Sequence, residues 1–205
     1  MPTLLLIRHG ENDYLTRNKL PGHYPNIHIN ERGRNQAAEL DRTLNQLPIK
    51  AVYASPLERA VETATPLARS LKLEVQLHPG LVDINVGVWT GRSWKVLNRT
   101  KNGKIIQETP SQFQFPEGES FIQVQERVVA VLDSITAAHK EELVAVVFHA
   151  DPIKLAVAHY LGLPLDHFQR LVVFTGSVTV LHINGTSGRL LALNLLPPFS
   201  FPDLK

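Results

Sequence analysis

Cysteine is absent from the 205 residues, which excludes disulfide staples, thiolate nucleophiles and any metal site that needs a sulfur ligand. Long apolar runs are missing as well: no uninterrupted stretch approaches the roughly 20 residues a helix needs to cross a bilayer. The N-terminus carries no basic stretch ahead of an apolar block, so no secretory leader is expected and the cytoplasm is the default location. Neither sign of charge dominates. Twenty-one Lys and Arg face nineteen Asp and Glu, a formal net charge of +2, too little to argue for nucleic acid or an anionic membrane. No stacking platform for bases is evident. The nine histidines show no metal-ligand spacing above chance, and neither metal nor cofactor is expected.

What is present is a core-forming composition, 43% hydrophobic, at a length that fits one α/β domain over residues 1–205. Thr3 to Ile7 reads as a fully buried first strand. Glu11 to Ile29 mixes Asn, Pro, Gly and His without a period, so it is expected to be a loop over that strand's C-terminal end. Asn30 can cap a helix carrying Ala37, Leu40 and Leu44. Ala51 to Ala54 is a second strand, with Ser55-Pro56 opening a further helix, and Glu74 to Leu77 is a third. Residues 79–119 look irregular, with one short helix near Ser93 to Leu97, and form an insertion expected to cover the substrate. Ser120 starts the longest helix, lined by Val124, Val128, Val131, Leu132 and Ile135. Leu143 to Phe148 is another buried strand, and Pro152 opens a helix that Gly162 ends. Val172 to Phe174, Ser177 to Ile183 and Arg189 to Leu193 are expected as strands, the last two joined through 184–188. The Pro and Phe tail at 197–202 is expected to lie extended on the surface. Strands alternating with amphipathic helices predict a three-layer α/β/α sandwich with a mostly parallel central sheet and an antiparallel edge near its end.

In open α/β sheets ligands gather outside the C-terminal ends of the strands. The first strand delivers Arg8-His9-Gly10-Glu11 there. Ser55 and Arg59 follow the second, Asp83 follows the third, and His149 with Asp151 follows the late strand. A neutral imidazole can attack phosphorus, and the fork of an arginine suits phosphate oxygens. Helix N-termini near Pro56 and Pro152 add backbone donors. A carboxyl group can protonate a leaving oxygen and later activate water. Each residue alone has a structural explanation: a loop-start histidine, a solvated arginine, an Asx turn at Asp83. Their joint placement at successive strand ends points instead to one crevice built for nucleophilic phosphoryl transfer.

The order of motifs resembles a known family. Arg8-His9-Gly10-Glu11, then Ala54-Ser55-Pro56 with Leu57 to Ala64, then Gly87-Val88-Trp89-Thr90-Gly91, then Pro116 to Ser120, then Val146-Val147-Phe148-His149 are similar to branch 1 of the histidine phosphatase superfamily, the phosphoglycerate mutase-like branch. The resemblance implies a phosphoglycerate mutase-like fold and a phosphorylated His9, with Arg8, Arg59 and His149 completing the phosphate pocket. Asp83 falls where many members carry a glutamate proton donor. Gly10, Asn12, Asn18, Gly22 and Ala150 are the candidate substrate contacts. Three positions depart from the family pattern. Leu15 stands where an asparagine often contacts the phosphate, leaving Asn12 or Asn18 as substitutes; the acid is one methylene shorter; Ala150 replaces a glycine. Asp151 competes with Asp83 as the acid, and Asp83 is preferred because Asp151 at a helix start is expected to act as a cap.

The expected activity is that of a metal-independent phosphomonoesterase acting on a small phosphorylated metabolite through a phosphohistidine intermediate. Two alternatives stand beside it: mutase-type phosphoryl transfer, and a non-catalytic phosphate-binding or scaffolding domain, which Leu15 favours. Arg92, Lys95, Arg99, Lys101 and Lys104, with no acidic residue among them, are expected to draw anionic substrates to the crevice. Phe113 and Phe115 are expected either to face the substrate's organic part or to fill the core. A homodimer is compatible with the sequence, which marks no interface.

Overall fold

The structure is a computed structural model and describes residues 2–199. Strands β1 (Thr3–Arg8), β2 (Ile49–Ala54), β3 (Val75–Leu77), β4 (Leu143–Phe148), β5 (Val178–Asn184) and β6 (Ser187–Leu195) form one sheet in the order β3-β2-β4-β1-β5-β6. Strands β3, β2, β4 and β1 run parallel, and β5 and β6 continue the sheet as an antiparallel hairpin beside β1. The helices are α1 (Asp13–Thr16), α2 (Glu31–Leu44), α3 (Glu58–Leu71), α4 (Trp94–Leu97), α5 (Lys101–Glu108), α6 (Phe121–Ala138) and α7 (Ala150–Tyr160).

Alternation along β1 shows why its sequence is apolar without a break. Leu5 and Ile7 pack with α2 and α3 through Leu40, Leu44, Ala60 and Ala64. Leu4 and Leu6 face the opposite layer, with Val124, Val128 and Leu132 of α6 and Ile153 and Val157 of α7. A strand covered on both faces has no solvent side to make polar. Burying each such side chain is worth about 1.5–3 kcal/mol. The result is the three-layer α/β/α sandwich with a mostly parallel sheet.

The helix starts follow their capping chemistry. Asn30 accepts from the Gly33 N–H at 2.9 Å, and Ser120 with Gln123 forms a reciprocal capping box at the head of α6. Several expected boundaries shift. The 11–29 loop contains α1, capped by Asn12. Helix α3 begins at Glu58 rather than Pro56, with Leu57 as its extended N-cap. Helix α7 begins at Ala150, since His149 is already its extended N-cap. Helix α5 escapes the pattern reading: its eight residues bury only Gly103 and Ile106, too few to set a period.

Val172 to Phe174 is not a strand. Its backbone is held by side chains instead, the Val173 carbonyl by Arg8 Nη1 at 2.7 Å and the Phe174 N–H by Asn194 Oδ1 at 2.6 Å. In the tail, Phe199 packs on the α2–α3 side of the core, while Ser200, Phe201 and Pro202 lie outside the described residues.

Candidate active site

Register brings the two strand-end histidines together. Arg8 pairs with Phe148 across β1 and β4, and the His9 N–H continues the ladder to the Phe148 carbonyl at 3.0 Å. The next residue on each strand is a histidine. Their rings stand edge to face with centroids 5.1 Å apart. From the neighbouring strand, the Ser55 N–H bonds the Val147 carbonyl at 2.9 Å, and its Oγ lies 2.9 Å from His149 Nε2.

Hydrogen bonding sets the tautomer of His9. His9 Nδ1 lies 2.7 Å from the Gly10 carbonyl; a carbonyl only accepts, so Nδ1 carries the proton and Nε2 keeps its lone pair. Ser55 Oγ accepts from the Leu57 N–H at 3.3 Å and shares a hydrogen bond with His149 Nε2. His149 Nδ1 stands 3.6 Å from Asp83 Oδ2. Both imidazoles are held well below the usual histidine range, first by burial and then by neighbouring cations, Arg59 and Arg8 acting on His9.

Arg59 is fully buried in the first turn of α3. Its Nη2 donates to the Gly22 carbonyl at 2.9 Å and to Asp83 Oδ2 at 3.1 Å. Burial raises the Asp83 carboxyl above its ordinary value, against the pull of Arg59. Among the described residues, Arg59 Nε and Nη1, Arg8 Nε and Asn12 Nδ2 are buried donors with no acceptor in the protein, and His149 Nδ1 is buried without a partner. Burying such donors unpaired is expensive. At a cleft an anion can supply such acceptors, and a phosphoryl group offers three strongly accepting oxygens. An imidazole with a free lone pair beside such a set can attack phosphorus.

A family model for the histidine phosphatase superfamily (branch 1) matches residues 4–196. The chain belongs to this superfamily. Over 197 residues it is 28% identical to phosphoserine phosphatase 1 of Hydrogenobacter thermophilus, spanning 95% of this chain and 93% of the relative. A 2,3-bisphosphoglycerate-dependent phosphoglycerate mutase of Thermoplasma acidophilum is 29% identical over 197 residues, 96% of this chain and 94% of the relative. Among solved structures, YhfR of Bacillus stearothermophilus superposes with a TM-score of 0.85 at 26% identity, covering 93% of this chain and 95% of that one. Membership in the histidine phosphatase superfamily assigns the chain to phosphatase or phosphomutase chemistry on small phosphorylated metabolites.

The histidine phosphatase cleft has a volume of about 500 Å³, with Arg8, His9, Asn18, Gly22, Asp83 and Ala150 on its wall. Gly10, Asn12, Arg59 and His149 are buried and are not among the residues that line it. A Cβ on Gly10 would come 2.7 Å from the Gly33 carbonyl oxygen, so Gly10 serves the close approach of α2, while its N–H donates to Thr63 Oγ1 at 2.9 Å. Asn12 uses its carbonyl to cap α1, through the Leu15 N–H. Asp151 is not a cap: its carboxylate is paired with Lys154 at 2.6 Å. The basic side chains of 92–104 are exposed and off the cleft wall, Lys104 standing 3.8 Å from Glu108. Phe113 and Phe115 are buried in an aromatic cluster with Trp89 and Phe121; Phe115 also lines the cleft and Phe113 does not.

Sequence reading missed Arg127, which clamps the segment carrying Asp83. Its guanidinium donates to the carbonyls of Gly80, Val82 and Asp83 at 2.9–3.1 Å and pairs with Glu119 at 2.9 Å. The available signal was an arginine one helical turn from Val124 and Val131, on the apolar side of α6.

Proposed function

We propose that the protein is a phosphomonoesterase with His9 as nucleophile. The observation that carries this reading is the Nδ1–H bond of His9 to Gly10, which leaves a free Nε2 lone pair on an imidazole that lines the cleft close to the guanidinium groups of Arg8 and Arg59. The substrate phosphate lies among Arg8, Arg59 and His149. His9 Nε2 attacks phosphorus in line; the N–P bond forms as the ester P–O bond breaks. Asp83, whose carboxyl burial favours in its protonated form, gives its proton to the leaving oxygen. In the second half, water attacks the phosphohistidine, its proton passes to the Asp83 carboxylate, and the N–P bond breaks to release inorganic phosphate. The positive groups neutralise the charge of the transferring phosphoryl.

The named activity of the Thermoplasma relative supports a second reading, in which the phosphoryl group returns to a bound phosphoglycerate. Turnover of p-nitrophenyl phosphate in the presence of a chelator tests the first reading, with loss of about 10⁴-fold or more expected in His9→Ala. Interconversion of 3- and 2-phosphoglycerate that depends on a bisphosphate primer would favour the mutase. Phosphate binding without any turnover would leave a non-catalytic domain.

A further inference from the structure

Much of the cleft wall is apolar. Leu15, Leu20, Trp94, Ile106, Phe115, Phe121 and Leu171 to Phe174 all line it. At the mouth this apolar surface continues into solvent, with Val172 48% and Phe174 54% exposed. Exposed apolar side chains that continue a concave apolar wall mark a binding surface.

Three polar side chains of the cleft wall, Lys154, Asp151 and Gln169, are committed to one another. Lys154 is only 11% exposed. Its ammonium stands 2.6 Å from Asp151 Oδ1, 2.7 Å from Gln169 Oε1 and 5.0 Å above the Phe168 ring. A substrate carboxylate placed here would meet a lysine already neutralised by a neighbouring carboxylate. It would also meet the charge of Asp151 itself, which is close enough to act on Arg8 and Asp83. Lys19 is exposed at the rim, where solvent weakens any ion pair it makes.

We propose that the physiological substrate is the monophosphate ester of an apolar alcohol, with Asp151 disfavouring phosphorylated carboxylic acids at the same cleft. This rests on the phosphomonoesterase reading above. An apolar wall rewards added methylenes, each worth at most about 0.8 kcal/mol or roughly fourfold. A fixed carboxylate rejects the wrong substrate by repulsion rather than by loss of contact.

The test compares kcat/KM of the full chain for n-hexyl phosphate, ethyl phosphate, O-phosphoserine and 3-phosphoglycerate. Ethyl and hexyl leaving groups have matched reactivity, so their ratio isolates the cleft. Binding of hexylphosphonate and of 3-phosphonopropionate is measured in parallel by calorimetry. We expect hexyl phosphate to exceed ethyl phosphate and both phosphocarboxylates by about tenfold or more. Hexylphosphonate should bind tighter than 3-phosphonopropionate by a similar factor. Phe174→Ser should raise KM for hexyl phosphate more than it lowers kcat. Asp151→Asn should narrow the gap by raising kcat/KM for 3-phosphoglycerate. Rates insensitive to chain length, or phosphocarboxylates turned over faster than hexyl phosphate, overturn the proposal. If no ester is hydrolysed but the phosphonates keep the expected order, the phosphomonoesterase reading fails and the cleft preference stands.

Discussion

Two acidic side chains stand near the reacting centre, and their surroundings assign them different work. Asp83 has its Oδ2 between Arg59 and His149, and burial raises its pKa. Asp151 is tied to Lys154. Asp83→Asn is therefore expected to lower kcat by about 10²–10⁴-fold for alkyl esters, with a smaller loss for p-nitrophenyl phosphate, whose leaving oxygen needs little protonation. The pH profile carries the same assignment. Wild-type kcat/KM should fall as pH rises through the raised Asp83 pKa, where the acid loses its proton. On the acid side it should fall only below the ordinary histidine range, because His9 stays neutral down to its lowered pKa. Asp83→Asn should lack the alkaline limb, and Asp151→Asn should keep it. An alkaline limb that disappears with Asp151 instead would move the acid to that residue. The histidines and arginines were legible because each directly follows an apolar strand or opens the helix after one. The clamp of Arg127 on three carbonyls was not, since it depends on where α6 passes over the segment at residues 80–83.

Among the elements, α2 carries the constraint with the clearest sign. Gly33 lies in its first turn, and a Cβ there would come 2.3 Å from the Glu11 carbonyl oxygen and 2.8 Å from Ile29 Cβ. Alanine in place of a helical glycine ordinarily stabilises by about 1 kcal/mol. Here Gly33→Ala is expected to do the opposite, lowering Tm in a thermal melt and raising KM, because the displaced Glu11 backbone adjoins Gly10, the acceptor of the His9 bond. A Tm at or above wild type would show that α2 does not press on this turn. The long amphipathic helices and buried strands could be read from the sequence because their apolar periods run over several turns or a whole strand. Helix α5 was lost for lack of period. Val172 to Phe174 was misread as a strand because a run of β-formers does not reveal that a side chain, Arg8, will take its carbonyl. The sandwich was legible; the shape of the cleft mouth was not.

For the whole molecule, the buried histidine pair couples the site to global stability. The folded pKa values of His9 and His149 are lowered, so the unfolded chain takes up protons that the folded one refuses. That stability is present above about pH 6.5 and is lost as pH falls through the lowered folded values. Tm should therefore drop between about pH 7.5 and pH 5, with a shallower drop in His149→Asn; equal slopes would remove the pair from the acid response. Asp83 acts with the opposite sign, its contribution fading as pH rises through its raised value. Inorganic phosphate, by binding the folded form alone, should raise Tm in a concentration-dependent way. In the proposed reaction the phosphoryl group passes through His9 Nε2. Turnover of a phosphate ester quenched in base, where a phosphohistidine survives, followed by peptide mass spectrometry, addresses it directly. An acid-labile phosphoryl group is expected on the peptide containing His9, and none in His9→Ala. A phosphoryl group on His149, or full turnover without any modified histidine, would contradict it.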